Sequence, residues 1–258
     1  MKPIIEAKSL VKRFGAVTAA NDVNVDIMSG TISGLIGTNG AGKTTFINMI
    51  TGYLGPDSGS ILLEGQEIVG LSPRQITRRG VARSFQIPQL FNSLTAVENL
   101  IFAYSATGSV GAKGFSILSD DELATHADET LEVFGLGAFR NSIAGTMPEG
   151  IRKLLDIAIA MVGKPKVLFL DEPTSGVASE EKFSVMDRII DATRVAGVSV
   201  LFVEHDMEIV RRYSDRVLAF FEGRVLIDGP PETVLSDRQV RELIIGEEHR
   251  VPKEDNHA

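Results

Sequence analysis

The chain has 258 residues, 43% of them hydrophobic and 23% charged, with a formal net charge of −8 and no cysteine. That composition is ordinary for a globular protein with a sizeable interior, and the acid excess argues against a broad nucleic-acid surface. Disulfides, thiolate chemistry and cysteine-based zinc sites are excluded; no apolar run approaches the ~18 residues of a membrane span, and no signal-peptide pattern opens the chain, so the expected compartment is the cytoplasm.

The first elements read as strands joined by turns. Ile5–Val11 partly alternates and Val23–Ile27 alternates strictly, so each has one buried face. Between them Lys12-Arg13-Phe14-Gly15 places an aromatic in a turn; Phe14 is either a core residue or a platform for an adenine ring. Thr31–Ile36 is a buried strand, and Gly37–Thr45 then fits the phosphate-binding pattern G-x-x-x-x-G-K-S/T, with Gly37, Gly42, Lys43 and Thr44 in the fixed places. Glycines let several N–H groups converge on one phosphate. Lys43 reaches the β- and γ-phosphates in such a loop, and the Thr44 hydroxyl sits on Mg²⁺. The helix opened by Thr44 adds the positive end of its dipole.

Beyond that helix lie a strand segment at Ser58–Gly65 and a short helix capped by Ser72 with Pro73 and Gln75. Val81–Phe85 is another strand with Gln86 at its end, a surface residue or a ligand for metal or water near a γ-phosphate. From 95 to 145 the pattern turns helical. Thr95/Glu98 and Ser119/Glu122 are capping boxes, Gly108–Ser116 is a connector, and Leu123, Ala127, Leu131 and Phe134 share a face. A helix from about Gly150 to Val162 leads back to Val167–Leu170, a buried strand that delivers Asp171 and Glu172 to its C-terminal edge, where open parallel sheets bind ligands. Paired with an upstream phosphate loop, Asp171 suits a metal-bound water and Glu172 the attacking water. Val198–Val203 repeats the pattern and ends in Glu204-His205-Asp206, with His205 either structural or a γ-phosphate contact. Two strands turn at Glu222-Gly223, a helix capped by Ser236 and Gln239 runs to Ile245, and 247–258 is a polar, flexible tail.

These pieces in this order resemble the ATP-binding subunit of an ABC transporter over residues 5–246, most closely the subunits of branched-chain amino acid importers. The resemblance implies an α/β P-loop NTPase core, a mixed sheet with flanking helices and N-terminal antiparallel strands, formed by 1–94 and 164–246. A helical subdomain, 95–163, is inserted into it. It implies ATP contacts from Phe14, Val17, Asn39, Gly40, Ala41, Gly42, Lys43, Thr44 and Thr45, and Mg²⁺ contacts from Thr44, Gln86 and Asp171. Glu172, Gln86 and His205 take the catalytic roles. The implied partners are a second ATPase subunit, membrane permeases docking near Gln86 and, indirectly, a solute-binding protein, with the chain peripheral on the inner face of the membrane.

Two departures stand out. Where the family has LSGGQ or LSYGQ, this chain has Met147-Pro148-Glu149-Gly150-Ile151, and Pro148 has neither the hydroxyl nor the N–H of the family's Ser. After Ser175-Gly176-Val177 the family has Asp or Asn; here stands Ala178. The resemblance implies that ATP is sandwiched between one subunit's phosphate loop and the other's signature, so Pro148, Glu149 and Gly150 form a degenerate contact in trans. One half of an asymmetric pair is the expectation. The alternatives are a non-hydrolysing regulatory subunit, an exporter ATPase of the lipopolysaccharide type, a small-molecule kinase, and an ABC ATPase acting on DNA or ribosomes.

Overall fold

A computed structural model describes residues 2–107 and 119–246. The Gly108–Ser116 connector and the 247–258 tail lie outside the described residues. Strands β1 (Pro3–Phe14) and β2 (Val17–Met28) form a hairpin, followed by β3 (Ile32–Gly37) and helix α1 (Lys43–Ile50). Then come β4 (Ser58–Leu63), β5 (Gln66–Glu67), α2 (Pro73–Arg78) and β6 (Val81–Ser84). Helices α3 (Ala96–Ala106), α4 (Asp120–Val133) and α5 (Glu149–Val162) occupy the middle of the chain. The remainder alternates: β7 (Val167–Asp171), α6 (Lys182–Val195), β8 (Ser199–Val203), α7 (Met207–Tyr213), β9 (Arg216–Phe221), β10 (Arg224–Gly229) and α8 (Pro231–Ser236).

Two sheets result. One is antiparallel, in the order β2-β1-β4-β5; the other is six-stranded, β10-β9-β3-β8-β7-β6, parallel except for β10. The central strands β3, β7 and β8 are buried on both faces, which is why they read as mostly apolar runs. Their side chains still alternate. Leu168, Leu170, Val200 and Phe202 join the core with the helices α3–α8. Val167, Phe169, Leu201 and Val203 join the core with α1 and the antiparallel sheet. The middle helices thus share a core with one sheet face: Leu154, Leu155 and Ala158 of α5 lie in the same cluster as Leu100, Leu131 and Phe202.

The capping boxes at Ser72, Thr95 and Ser119 all form. Two expectations need correction. The first two strands run longer than their alternating stretches, so Phe14 ends β1 and pairs with Val17 across a turn at Gly15, φ +59°. The final helix starts one residue later than expected, because Ser236 ends α8, where its hydroxyl donates to Glu232 O at 2.6 Å. The next turn (Arg238–Val240) is capped by Asp237, whose Oδ1 accepts from the Gln239 and Val240 amides at 2.8 and 3.1 Å.

Candidate functional site

The phosphate loop is held from two sides. Gly37 has φ +155°, and a Cβ there would stand 2.4 Å from Phe220 O on β9; Gly42 has φ +102°, and its Cβ would stand 2.4 Å from Ala19 O on β2. Only glycine fits both places. The Gly223 amide donates to Ala41 O at 3.0 Å, so the β9–β10 turn braces the loop as well. The buried Lys43 ammonium closes the loop, donating to Gly37 O at 2.5 Å and Thr38 O at 3.0 Å. Burial pulls its pKa below the ordinary lysine value, with Glu172 and Asp171 opposing. The Phe46 amide makes the first bond of α1, to Gly42 O at 2.9 Å. Amides ahead of it, on Lys43, Thr44 and Thr45, belong to the helix's first turn, the natural cradle for an anion.

Asp171 and Glu172 stand beside this loop, at the C-terminal edge of β7. The Asp171 carboxylate accepts from Arg83 Nη2 at 2.9 Å, and Arg83 Nη1 donates to Asn48 Oδ1 on α1 at 2.5 Å. Arg83 enters from the adjacent strand β6, and its guanidinium lies 4.9 Å from the Phe85 ring centroid. Glu172 sits in the left-handed region, φ +50°, a conformation that costs a non-glycine residue about 1–3 kcal/mol and clusters at functional sites. Its amide donates to Val203 O at 3.1 Å. Its carboxylate is gripped on both oxygens: Gln86 Nε2 donates to Oε2 at 2.8 Å, and His205 Nε2 lies 3.1 Å from Oε1. Three strand ends, those of β6, β7 and β8, therefore converge on one carboxylate. Glu204 behaves differently from its neighbour His205: it is buried and accepts from the Thr174 amide and hydroxyl at 2.9 and 2.7 Å, holding the loop after Glu172.

Phe14 is 51% exposed and Val17 65% exposed, at the tip of the β1–β2 hairpin. The core alternative for Phe14 is thereby excluded. Because Ala19 of the same hairpin abuts Gly42, this apolar tip is tied to the phosphate loop.

Pro148 is the N-cap of α5 and supplies no side-chain cap; its carbonyl accepts from the Arg152 amide at 3.0 Å. Gly150 is buried, and a Cβ there would meet Val185 Cγ2 at 3.2 Å. Glu149 packs its Cγ 3.4 Å from where a Cβ on Gly176 would stand. The carbonyl of Ala178 accepts from the amides of Glu181 and Lys182 at 2.9 and 3.2 Å.

The donor types present suit Mg²⁺ and a nucleotide phosphate: a hydroxyl at Thr44, a carboxylate at Asp171, an amide oxygen at Gln86, a buried cation at Lys43 and helix-start amides. Among the described residues no group of three or more His, Asp and Glu forms a protein-only cation cage. Sequence reasoning missed Arg83 and Lys153. Lys153 is buried in α5 and donates to Gln86 O and Glu172 O, both at 2.9 Å. Their only signal was a single cation within an apolar strand or on an apolar helix face.

Fold and site together define a P-loop ATPase. The model of the ABC transporter family matches residues 20–175, and the chain belongs to that family. It is 37% identical over 253 residues to the high-affinity branched-chain amino acid transport ATP-binding protein BraF of Pseudomonas aeruginosa, covering 95% of this chain and 99% of that one. It is 35% identical over 254 residues to the corresponding protein LivG of Escherichia coli K12, with coverage of 95% and 99%. Among solved structures, the ADP conformation of an ATP-binding cassette of an ABC transporter superposes with TM-score 0.85 at 30% identity, covering 96% of this chain and all of that one (100%). The cbiO1 cassette from Clostridium perfringens, part of the cbiONQ transporter complex, gives 0.80 at 29% identity, with coverage of 94% and 96%.

Proposed function

We propose that this chain is the motor subunit of an importer for branched-chain amino acids or a related small polar solute. It works on the inner face of the membrane, paired with a second ATPase subunit that is preferably not a copy of itself. The observation that carries this reading is the Glu172 carboxylate, held between Gln86 and His205 beside the phosphate loop. The solute class comes from the relatives, which are named for branched-chain amino acid transport.

Lys43 and the amides of 39–45 hold the phosphates, and Phe14 and Val17 offer apolar surface to the adenine. Thr44, Asp171 and Gln86 would hold Mg²⁺, which would neutralise charge developing on the phosphate oxygens. Glu172 accepts a proton as a water oxygen bonds to the γ-phosphorus; the bond to the bridging oxygen breaks, and its electron pair leaves with ADP. His205 and Gln86 keep the carboxylate aimed. No helix among the described residues is long and apolar enough to cross a membrane, so permeases supply the path. A groove of about 190 Å³, lined by Tyr53, Ala82, Phe85, Ile159 and Thr107, lies next to Gln86 in sequence and has room for a side chain of a docked permease segment.

A regulatory subunit without turnover is the second reading, favoured by Pro148 and Glu149 at the start of α5. The two are separated by Mg-ATP hydrolysis measured across protein concentrations, with Glu172→Gln as the blank. A rate per chain that climbs with concentration and vanishes in the variant supports a productive homodimer and removes the motive for an asymmetric pair. A rate at the level of the blank, with ATP bound, supports a missing partner; if the rate stays there once permeases and a second ATPase are co-purified, the regulatory reading holds.

A further inference from the structure

The start of α5 is linked to the Gln86–Glu172 pair by a buried bracket. Lys153, 4% exposed, spends its ammonium on two backbone carbonyls 86 positions apart in neither strand nor helix pairing: Gln86 O and Glu172 O, each at 2.9 Å. One turn further on, Asp156, 6% exposed, accepts from Ser84 Oγ at 2.7 Å and from the Gln89 amide at 2.8 Å. Positions i and i+3 share a helix face, so α5 grips the whole 84–89 segment at three points and the backbone of Glu172 at a fourth.

A buried ammonium is expensive to desolvate, and apolar packing would serve stability better. Its two partners here are the carbonyls of the residues whose side chains meet at 2.8 Å across the candidate site. Holding the Glu172 carbonyl also helps fix the left-handed backbone that aims its carboxylate. The bracket begins three residues after Gly150, so a push on Pro148–Gly150 reaches Gln86 and Glu172 through one rigid helical turn.

We infer that Lys153 is a positioning residue: it sets the backbone of Gln86 and Glu172 and carries into them the state of the α5 start. This rests on the ATPase reading above. If 148–150 serves one nucleotide while Glu172 serves another, Lys153 is the link between the two sites within a single chain.

The test uses the full chain carrying Glu172→Gln, so that Mg-ATP persists, with Lys153 intact, Lys153→Met or Lys153→Arg. Two quantities are measured: the Kd for Mg-ATP, and amide hydrogen exchange, with and without nucleotide, in peptides covering 43–50, 84–89 and 149–155. With Lys153 intact, nucleotide slows exchange in all three segments. Lys153→Met keeps the Kd within threefold and keeps the protection of 43–50, but loses at least four-fifths of the nucleotide-dependent change in 149–155. Lys153→Arg, which still donates to two carbonyls, retains most of it. A merely structural role would instead raise exchange everywhere, with or without nucleotide. Full retention of the 149–155 response in Lys153→Met overturns the inference, as does its loss in Lys153→Arg if Lys153→Met fails to fold. Absence of ATP binding with Lys153 intact overturns the ATPase reading itself, and is distinguished by the first measurement.

Discussion

Arg83 on β6 reaches across to β7 and holds the Asp171 carboxylate at 2.9 Å, its other amino group tied to Asn48 on the helix that follows the phosphate loop. The side chains are 7% and 17% exposed, so this pair is shielded from solvent screening. One carboxylate oxygen accepts from the guanidinium, which orients the carboxylate. The contact thus joins three parts of the site: the loop's helix, the strand that bears the acids, and the strand that leads to Gln86.

Replacing Arg83 by Met should leave the Asp171 charge without its partner. Breaking one side of a buried pair costs about 3–5 kcal/mol, and the partial exposure of Asp171 puts the expected loss near the low end. Urea unfolding should show a lower midpoint at unchanged slope, and Mg-ATP affinity should fall because Asp171 is no longer aimed. Arg83→Lys should recover part of the stability, but not the simultaneous grip on Asn48. Wild-type stability in Arg83→Met would mean that the pair contributes nothing.

Glu172→Gln tests the acid itself. The amide keeps the carboxylate's shape and one acceptor oxygen, so binding of ATP should persist with Kd within a few-fold. Hydrolysis by the assembled transporter should fall by about 100-fold or more, the usual worth of a positioned base. His205→Ala should fall less, since Gln86 still holds one oxygen. A Glu172→Gln protein that turns over at a tenth of the wild-type rate would remove Glu172 from the base role.

Pro148→Ser addresses the altered start of α5. Proline there offers no side-chain cap; a serine hydroxyl in the same extended N-cap conformation can accept from a first-turn amide, worth about 1 kcal/mol. The variant should melt higher. If 148–150 also faces a partner's nucleotide, hydrolysis by the assembled pair should rise as well. A higher melting temperature with an unchanged rate would confine Pro148 to a structural role.

Much of the site was legible because its parts are local. The phosphate loop, the strand ending in Asp171-Glu172 and the capping boxes at Thr95 and Ser119 each declare themselves within about ten residues. What stayed hidden was every choice between chemically equivalent neighbours or distant partners. Ser236 and Asp237 are both cap formers; the ionised Asp accepts two amides at once, and the Ser hydroxyl is left to donate backward to Glu232. Phe14 is an aromatic beside a glycine turn, and only the register of β1 with β2 places it outside the core. Arg83 and Lys153 are single cations amid apolar residues. Their partners lie 88 positions away at Asp171 and 67 away at Gln86, and no spacing rule reaches that far.

Asp156 carries a pH signature with a definite sign. Burial raises its pKa above the ordinary 3.8, while the bonds from Ser84 and Gln89 and the nearby Lys153 charge pull the other way without winning. Between 3.8 and the raised folded value, the native state holds more protons than the unfolded chain. Stability contributed by this group therefore falls as pH rises through that window, and the charged form is carried at a cost above it. Asp156→Asn never ionises. Its amide oxygen can still accept from the Gln89 amide, and its NH₂ can donate to Ser84 Oγ. The difference in unfolding free energy, variant minus wild type, should therefore climb with pH from about pH 4 and then level off. Other carboxylates titrate alike in both proteins and cancel in the difference. Urea midpoints at half-unit steps from pH 4 to 7.5 measure it directly. Two parallel curves would mean that Asp156 titrates in the fold as it does in the unfolded chain, and that its hydrogen bonds fully offset its burial.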